Sequence, residues 1–331
     1  MMEFSVVVVT WKGDDLLADC LASLARVYGA KPEVVVVDNA NAASTRALVA
    51  RYPNATYVAT HANLGFAGGN VVGWRHVTRD YVVLLNNDTV LTDDSVSPLV
   101  AYLKSHPTCA AVQGTLVFAD RPDMTDGTGM WFSPLGILAP DGFLEPLASA
   151  PKSVREVFAV GGAFCALRRT AVADARRLFH PHFKSYYEEI DLCHRLWRCG
   201  WDCAYVPTPP VLHRHSATAA RYGWTDIRVR YYRNVWFSTL TCFGALGLLR
   251  FVPVLAVLCL GQGLVSALRG DHGVVLTAHL RNARWLWRHR RCVAAARARI
   301  QSGATRSDRE VFCHALRSQP WRYYLNLLRR G

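Results

Sequence analysis

The N-terminal third of the chain repeats one pattern, a short run of β-branched and aliphatic residues followed by a segment with apolar residues at helical spacing. The runs are Phe4–Thr10 (FSVVVVT), Glu33–Asp38 (EVVVVD), Ala55–Ala59 and Tyr81–Asn86 (YVVLLN). A run that is apolar at every position suits a strand covered on both faces, as in a parallel sheet. The intervening segments Leu16–Arg26, Thr45–Tyr52, Gly65 to about Thr78 and Val96–His106 read as helices, and Ala110–Val117 as a further strand. This alternation predicts an α/β, Rossmann-like fold with a mostly parallel, doubly wound sheet. Ligands of such sheets bind beyond the carboxyl ends of the strands. Thr10, Asp38, Asn39, Asn87 and Asp88 all fall there.

Residues Ala119–Glu156 form a long Gly- and Pro-rich stretch that reads as irregular, a length of loop often given to function. A strand-like pattern resumes over Val157–Arg168, around Gly161 and Gly162. Glu188–Cys199 reads as a helix stopped by Gly200, with Leu192, Leu196 and Cys199 on one face. After about Trp236 the character changes, which predicts a catalytic domain over 1–236 and a helical extension over 237–331.

Several side chains at these strand and helix ends can carry chemistry. Asp38 and Asn39 can hydrogen-bond a nucleobase or ribose, and equally can form a turn. Asn63–Asn70 (NLGFAGGN) opens a helix, where backbone N–H groups favour phosphate; Asn63, Gly65, Phe66, Gly68, Gly69 and Asn70 are therefore candidate contacts to a phosphate-bearing ligand. The segment has neither the Walker lysine nor the GxGxxG spacing, which argues against a P-loop enzyme or a dinucleotide-dependent oxidoreductase. Asn86, Asn87 and Asp88 end a buried strand, and Asp88 can give an oxygen to Mg²⁺ or Mn²⁺. Glu188, Glu189 and Asp191 crowd one predicted helix start, where one can act as a base and the others can serve the helix dipole. His213 and His215 follow Pro207–Pro210, and His213 is a candidate metal ligand.

The net charge of +13 is concentrated at the C-terminal end. From Arg281 onward there are thirteen arginines, no lysine, and only Asp308 and Glu310 as acids. No zinc-finger or RNP signature points to nucleic acid, so the basic tail predicts an anionic membrane surface as its partner. Leu246–Leu268 is almost wholly apolar, interrupted by Arg250, Pro253 and Gln262. Trp285, Trp287 and Trp321 are interleaved with arginines, as in segments at a headgroup region. A peripheral or re-entrant attachment on the cytoplasmic face is expected. Met1 runs straight into an apolar strand without a basic n-region or cleavage site, which agrees with a cytoplasmic catalytic part. The ten cysteines follow no secreted-scaffold or zinc spacing and read as reduced thiols, mostly buried.

The ordered motifs VVVVTWKG, VVVVDN, NLGFAGGN, LLNNDTV, VGGAFCALRR, YYEEIDLCHRLWRCGW and VLHRHSAT resemble the family 2 glycosyltransferases, specifically their bacterial rhamnosyltransferase-like branch. The resemblance covers roughly Phe4 to Asn234. It implies a GT-A nucleotide-diphospho-sugar transferase fold, a divalent metal (Mn²⁺ or Mg²⁺) and inversion at the anomeric carbon. It implies that Asp38 contacts the nucleoside. Asp88 then matches the last residue of the family's DxD motif, whose first acidic position is Asn86 here. Glu189 falls where the family's helix, commonly Glu-Asp-x-Asp-Leu, carries its base; Asp191 is the substitute candidate, and His213 matches the metal-ligand histidine. The resemblance points first to dTDP-rhamnose as donor, with UDP-galactose, UDP-glucose and GDP-mannose open, and to a glycan or lipid-linked hydroxyl as acceptor in cell-surface polysaccharide synthesis.

Overall fold

The computed structural model describes residues 3–173, 175–214, 224–268 and 274–318. His215 and Trp321, both singled out above, lie outside the described residues.

The chain begins with β1 (Ser5–Thr10), α1 (Asp14–Tyr28), β2 (Glu33–Asp38), α2 (Ala43–Val49), β3 (Ala55–Ala59), α3 (Gly65–Trp74) and β4 (Tyr81–Asn86). Next come β5 (Thr89–Leu91), α4 (Ser97–Ser105), β6 (Cys109–Gln113), β7 (Leu116–Phe118), β8 (Arg121–Gly127), β9 (Met130–Phe132) and β10 (Leu138–Pro140). They are followed by β11 (Arg155–Glu156), β12 (Phe164–Arg168), α5 (Ala175–Leu178), α6 (Glu188–Arg198), β13 (Asp202–Tyr205) and β14 (Val211–His213). Five helices complete the described chain: α7 (Trp224–Cys242), α8 (Ala245–Leu268), α9 (Val274–Arg288), α10 (Arg290–Ser302) and α11 (Asp308–Ala315). These elements form two compact units, one of Met1–Met130, Pro140–Leu196 and Trp201–Ala217, the other of Trp131–Ala139, Trp197–Gly200 and Thr218–Gly331.

The first unit is an α/β domain around an eight-stranded sheet of order β11-β13-β6-β12-β4-β1-β2-β3. The continuous valine runs have the predicted cause. Val6, Val8, Val34, Val36, Val83 and Leu85 pack into a core with Leu17, Leu21 and Leu99 of the covering helices. On the other face α3 lies so close that a Cβ at Gly69 would stand 2.5 Å from Val9. Gly69 is thus needed for helix-to-sheet packing, and an alanine there would cost about 1–3 kcal/mol. Strands β1, β2, β3 and β4 are parallel to their sheet neighbours among themselves, and the register sets Thr10 level with Asp38 and Val9 level with Asn86.

The rest of the sheet is mixed. Strand β12 runs antiparallel to both β4 and β6, and β11 antiparallel to β13. The expected strand Ala110–Val117 breaks after Gln113, with β6 in this sheet and β7 in another. The expected strand Val157–Arg168 is regular only from Phe164. The stretch read as irregular, Ala119–Glu156, contains β8, β9, β10 and β11. Strand β8 belongs to a second sheet, of order β5-β14-β7-β8. Helix α6 ends at Arg198 and Gly200 takes φ +89°, so Cys199 leaves the buried face that Leu192 and Leu196 share and is exposed. Seven of the ten cysteines are buried, in keeping with reduced thiols.

The second unit is mainly helical, with the β9–β10 ribbon. Helix α7 packs on α8, α9 and α10. The apolar stretch Leu246–Leu268 falls in one helix, α8, which runs through Pro253. Its segment Ala245–Val265 is long and apolar enough to cross a membrane by length and composition. Arg198 pairs with Asp308 at 3.3 Å and donates to Gln301, all in this unit. Trp285 faces inward, against Phe237 and under Arg233, so of the two described tryptophans of the Arg-rich stretch only Trp287 is exposed.

Candidate active site

The carboxyl ends of β1, β2 and β4 hold most of the residues singled out from the sequence, all in the first unit. Asp38 is fully buried and accepts from the backbone N–H groups of Ala40 (2.8 Å) and Ala42 (2.7 Å) and from the Tyr57 hydroxyl (3.0 Å). Asn39 donates to Gly65 O and accepts from Thr60 Oγ1, which fastens the turn after β3 to the end of β2. Thr10 Oγ1 accepts from Asn87 Nδ2 at 3.0 Å.

The NLGFAGGN motif turns sharply into α3. Gly65 has φ +73°, and a Cβ there would meet Lys184 O at 2.3 Å, so the segment before α6 rests on this turn. Asn63 accepts from Gly65 N, and Asn70 donates to Phe66 O. Phe66 lies against Phe179 and against Gly162, and Gly162 also faces the Glu189 carboxyl. NLGFAGGN, the Gly161–Gly162 turn and the acidic helix thus meet in one place. Gly68 stands over Leu64 in the same turn.

Helix α6 starts at Glu188, after two non-glycine residues held at positive φ, Tyr186 (72°) and Tyr187 (73°). Such strain persists only where the surroundings impose it, and it clusters at functional sites. Its three acids differ. Asp191 accepts from Arg195 Nε at 2.8 Å, and Arg195 is held in turn by Leu178 O. Glu188 is buried and its Oε2 has no hydrogen-bond partner; burial, then the charge of Glu189, pushes its carboxyl well above the usual range. Glu189 is half-buried, and burial raises its carboxyl above the usual value although its own backbone N–H and that of Gly162 favour the charged form.

Asp88 and His213 are brought together by the second sheet. Antiparallel pairing of β5 with β14 sets Thr89 opposite His213, and places Asp88 Oδ1 3.3 Å from His213 Nε2. Asn86 Nδ2 is 3.4 Å from the same nitrogen. On the far side of the ring, Nδ1 is bonded to Asp126 of β8. Burial lowers the imidazole's basicity, but Asp126 and then Asp88 outweigh it and push the pKa up to about 9. Asp88 Oδ1 is buried and has no hydrogen-bond partner, although His213 lies within charge-pairing distance. A divalent cation would take the place of the Nε2 proton, and the Asp88 carboxylate oxygen with the neutral imidazole nitrogen is a donor set that suits it. No group of three or more His, Cys, Asp or Glu side chains forms a cage among the described residues.

A family model described as "Glycosyltransferase like family 2" matches residues 2–230. The chain belongs to this glycosyltransferase family. It is 28% identical over 246 residues to the N-acetylglucosaminyl-diphospho-decaprenol L-rhamnosyltransferase of Mycobacterium tuberculosis, covering 65% of this chain and 77% of that one. It is 21% identical over 227 residues to the low-salt glycan biosynthesis hexosyltransferase Agl10 of Haloferax volcanii, covering 66% of this chain and 70% of the relative. Among solved structures, a mannosyltransferase of Pyrobaculum calidifontis in complex with GDP-Man and Mn²⁺ superposes with a TM-score of 0.52 at 19% identity, covering 91% of this chain and 84% of the other. GalNAc-T7 with UDP, GalNAc and Mn²⁺ gives 0.52 at 16% identity, covering 64% of this chain and 44% of the other, so this chain spans less than half of that one. At these identities the structural likeness bears on the fold, which is GT-A.

One residue of this candidate site does not stand out in the sequence. Asp126 lies in β8 (RPDMTDG), a strand with hardly an apolar position, inside the stretch read as irregular. No alternation marks it as a strand, and only the pairing of β8 with β7 brings it to His213.

Proposed function

We propose that this chain is an inverting, metal-dependent hexosyltransferase that moves a sugar from a nucleoside diphosphate to a hydroxyl of a glycan or lipid-linked acceptor. The observation that carries the reading is the buried pairing of Asp88 Oδ1 with His213 Nε2, 3.3 Å apart at the carboxyl end of the sheet. Asp88 and His213 would hold Mn²⁺ or Mg²⁺, which when bound neutralises charge on the departing diphosphate. Glu189 takes the proton from the acceptor hydroxyl. The acceptor oxygen attacks the anomeric carbon from the face opposite the diphosphate, the bond to the diphosphate breaks, and configuration inverts. Glu189 suits the base better than Asp191, whose carboxylate is held by Arg195, or Glu188, which is more deeply buried and whose carboxyl is pushed well above the usual range by burial and by the charge of Glu189. Thr10, Asp38, Asn39, Asn63, Asn70, Asn86 and Asn87 border the donor, with Phe66, Gly65 and Gly68 shaping its floor and Gly69 holding that turn's helix against Val9.

The donor we propose first is dTDP-rhamnose, and the acceptor a lipid-linked glycan; the Mycobacterium relative, a rhamnosyltransferase named for a diphospho-decaprenol substrate, supports the lipid-linked acceptor and a rhamnosyl group, while the nucleotide is our own reading. Catalysis resides in residues 1–236, and residues 237–331 attach the enzyme to the cytoplasmic face of a membrane. A melting screen of nucleotide sugars with Mn²⁺, followed by transfer assays on polyprenyl-diphosphate sugars, tests the reading. Donor-dependent stabilisation and release of the nucleoside diphosphate are expected. Absence of turnover with every nucleotide sugar, or full activity in excess chelator, overturns it.

A further inference from the structure

The second unit has an apolar surface that its own packing does not explain. Helix α8 is apolar all round, and such a helix is ordinarily buried all round. Here one side packs inward through Phe251, Cys259 and Gln262, the last held by the Tyr232 hydroxyl at 2.5 Å. The opposite side presents Leu246, Leu249, Val257, Leu260, Leu264 and Leu268 to the outside, Leu249 and Leu268 each 78% exposed. Pro253, also exposed, fills the one gap in their three- and four-residue spacing, so they form a single stripe. The adjoining α9 repeats the arrangement. Leu276, Leu280 and Trp287 are exposed on one face, and Arg281, Arg284 and Arg288 border it.

Helix α8 is long enough to span a bilayer, at about 36 Å for its 24 residues. The connections forbid a single crossing. Arg297 of α10 donates to the carbonyls of Leu240 and Phe243, just before α8 begins, at 2.7 Å each. Gln301 donates to Thr241 and Cys242 in the same turn. The chain before α8 and the chain after α9 therefore meet in one polar region, and a single span would put them on opposite sides of the membrane. A hairpin driven deep into the bilayer would drag the α9 arginines into hydrocarbon.

We infer that α8 and α9 form a monotopic attachment face that lies in the plane of an anionic membrane surface, with the leucine stripes and Trp287 among the acyl chains and Arg281, Arg284 and Arg288 at the headgroups. This deepens the membrane attachment in the proposed function and rests on it. The charge of the arginine border selects the partner, since a second copy of the chain would bring the same positive charge to the contact.

Flotation of the full-length protein with vesicles of equal phosphatidylcholine and phosphatidylglycerol, against pure phosphatidylcholine, tests the inference. Binding is expected to the anionic vesicles and to weaken in part with salt. Leu260→Glu with Leu264→Glu changes only exposed positions, so it should leave the melting transition intact while lowering the partition constant by about tenfold or more. Arg284→Ala with Arg288→Ala should remove much of the salt-sensitive part. Labelling of a Leu268→Cys variant by an impermeant maleimide sealed inside the vesicles would overturn the in-plane arrangement in favour of a span. Absence of vesicle binding, with a dimer that Leu260→Glu/Leu264→Glu dissociates, would make the face a contact between copies and overturn the inference. Asp88→Ala separates the two claims, because it should lose transfer and keep vesicle binding. Transfer without vesicle binding would sink the attachment face alone, and vesicle binding without transfer by the wild type would sink the catalytic reading alone.

Discussion

His213 donates from Nδ1 to Oδ2 of Asp126, and this bond leaves Nε2 to face Asp88, 3.3 Å away. A carboxylate behind a metal-binding imidazole fixes the ring's orientation and raises its basicity, and loss of such a partner typically costs 10- to 100-fold in metal affinity. Asp126→Asn is therefore expected to weaken Mn²⁺ binding by about that factor, read directly from the free Mn²⁺ signal in electron paramagnetic resonance. Asp88→Ala should weaken it at least as much. Unchanged Mn²⁺ affinity in Asp126→Asn would show that the histidine needs no such support.

Glu189 is the second point of test. Glu189→Gln keeps the shape of the side chain and removes the base, so turnover should fall by about 100- to 10,000-fold while donor affinity changes little. The wild-type rate should rise with pH, because the base must be ionised, and the acid limb should lie above the ordinary carboxylate range, as burial raises this group. Normal turnover in Glu189→Gln together with a dead Asp191→Asn would transfer the role to Asp191.

The parallel half of the fold was legible because β1, β2 and β4 are apolar on both faces, and a run such as Val6 to Val9 leaves little else to be. The donor-end residues followed from the same fact, since a strand's end can be read once the strand is known. Strand direction was not legible: β12 and β6 look alike as apolar runs, and only pairing shows that they run opposite ways. The second sheet was hidden for a different reason. Its strands β5, β7 and β14 have three residues each, too few for any periodicity, and β8 is nearly all polar. The Asp88–His213 pairing was therefore reached through motif order alone, and Asp126 was not reached at all. In the C-terminal part the apolar helix was plain, but the inward turn of Trp285 depends on Phe237 and Arg233 of another helix.

Glu188 should report its burial through stability. Its carboxyl is raised well above the usual value of 4.5, so it favours the folded state while protonated and this contribution is lost as pH rises through the folded-state value. Glu188→Gln removes that loss. The unfolding free energies of the variant and the wild type should be close near pH 4.5 and should diverge in the variant's favour as pH rises, by an amount on the order of 1–3 kcal/mol. A variant that is less stable at pH 8 than the wild type would mean that the buried carboxylate has a partner it depends on.

In the second unit the pairing of Arg198 with Asp308 should be worth more than an ordinary ion pair, because Asp308 also closes the start of α8. Its Oδ1 accepts from Gly244 N and its Oδ2 from Gly247 N, each at 2.7 Å, while Oδ1 faces Arg198 Nη1 at 3.3 Å. Both side chains are buried. Asp308→Ala strands a buried guanidinium and leaves two helix N–H groups without an acceptor, so a loss of about 3–5 kcal/mol is expected in urea unfolding. Replacing a buried pair on both sides by apolar residues is often nearly neutral, and here it should not be. Arg198→Met with Asp308→Leu cures the stranded charge but not the uncapped helix, and should remain about 1–2 kcal/mol below the wild type. Full recovery in the double variant would mean that the contacts to Gly244 and Gly247 contribute nothing, and that Asp308 serves Arg198 alone.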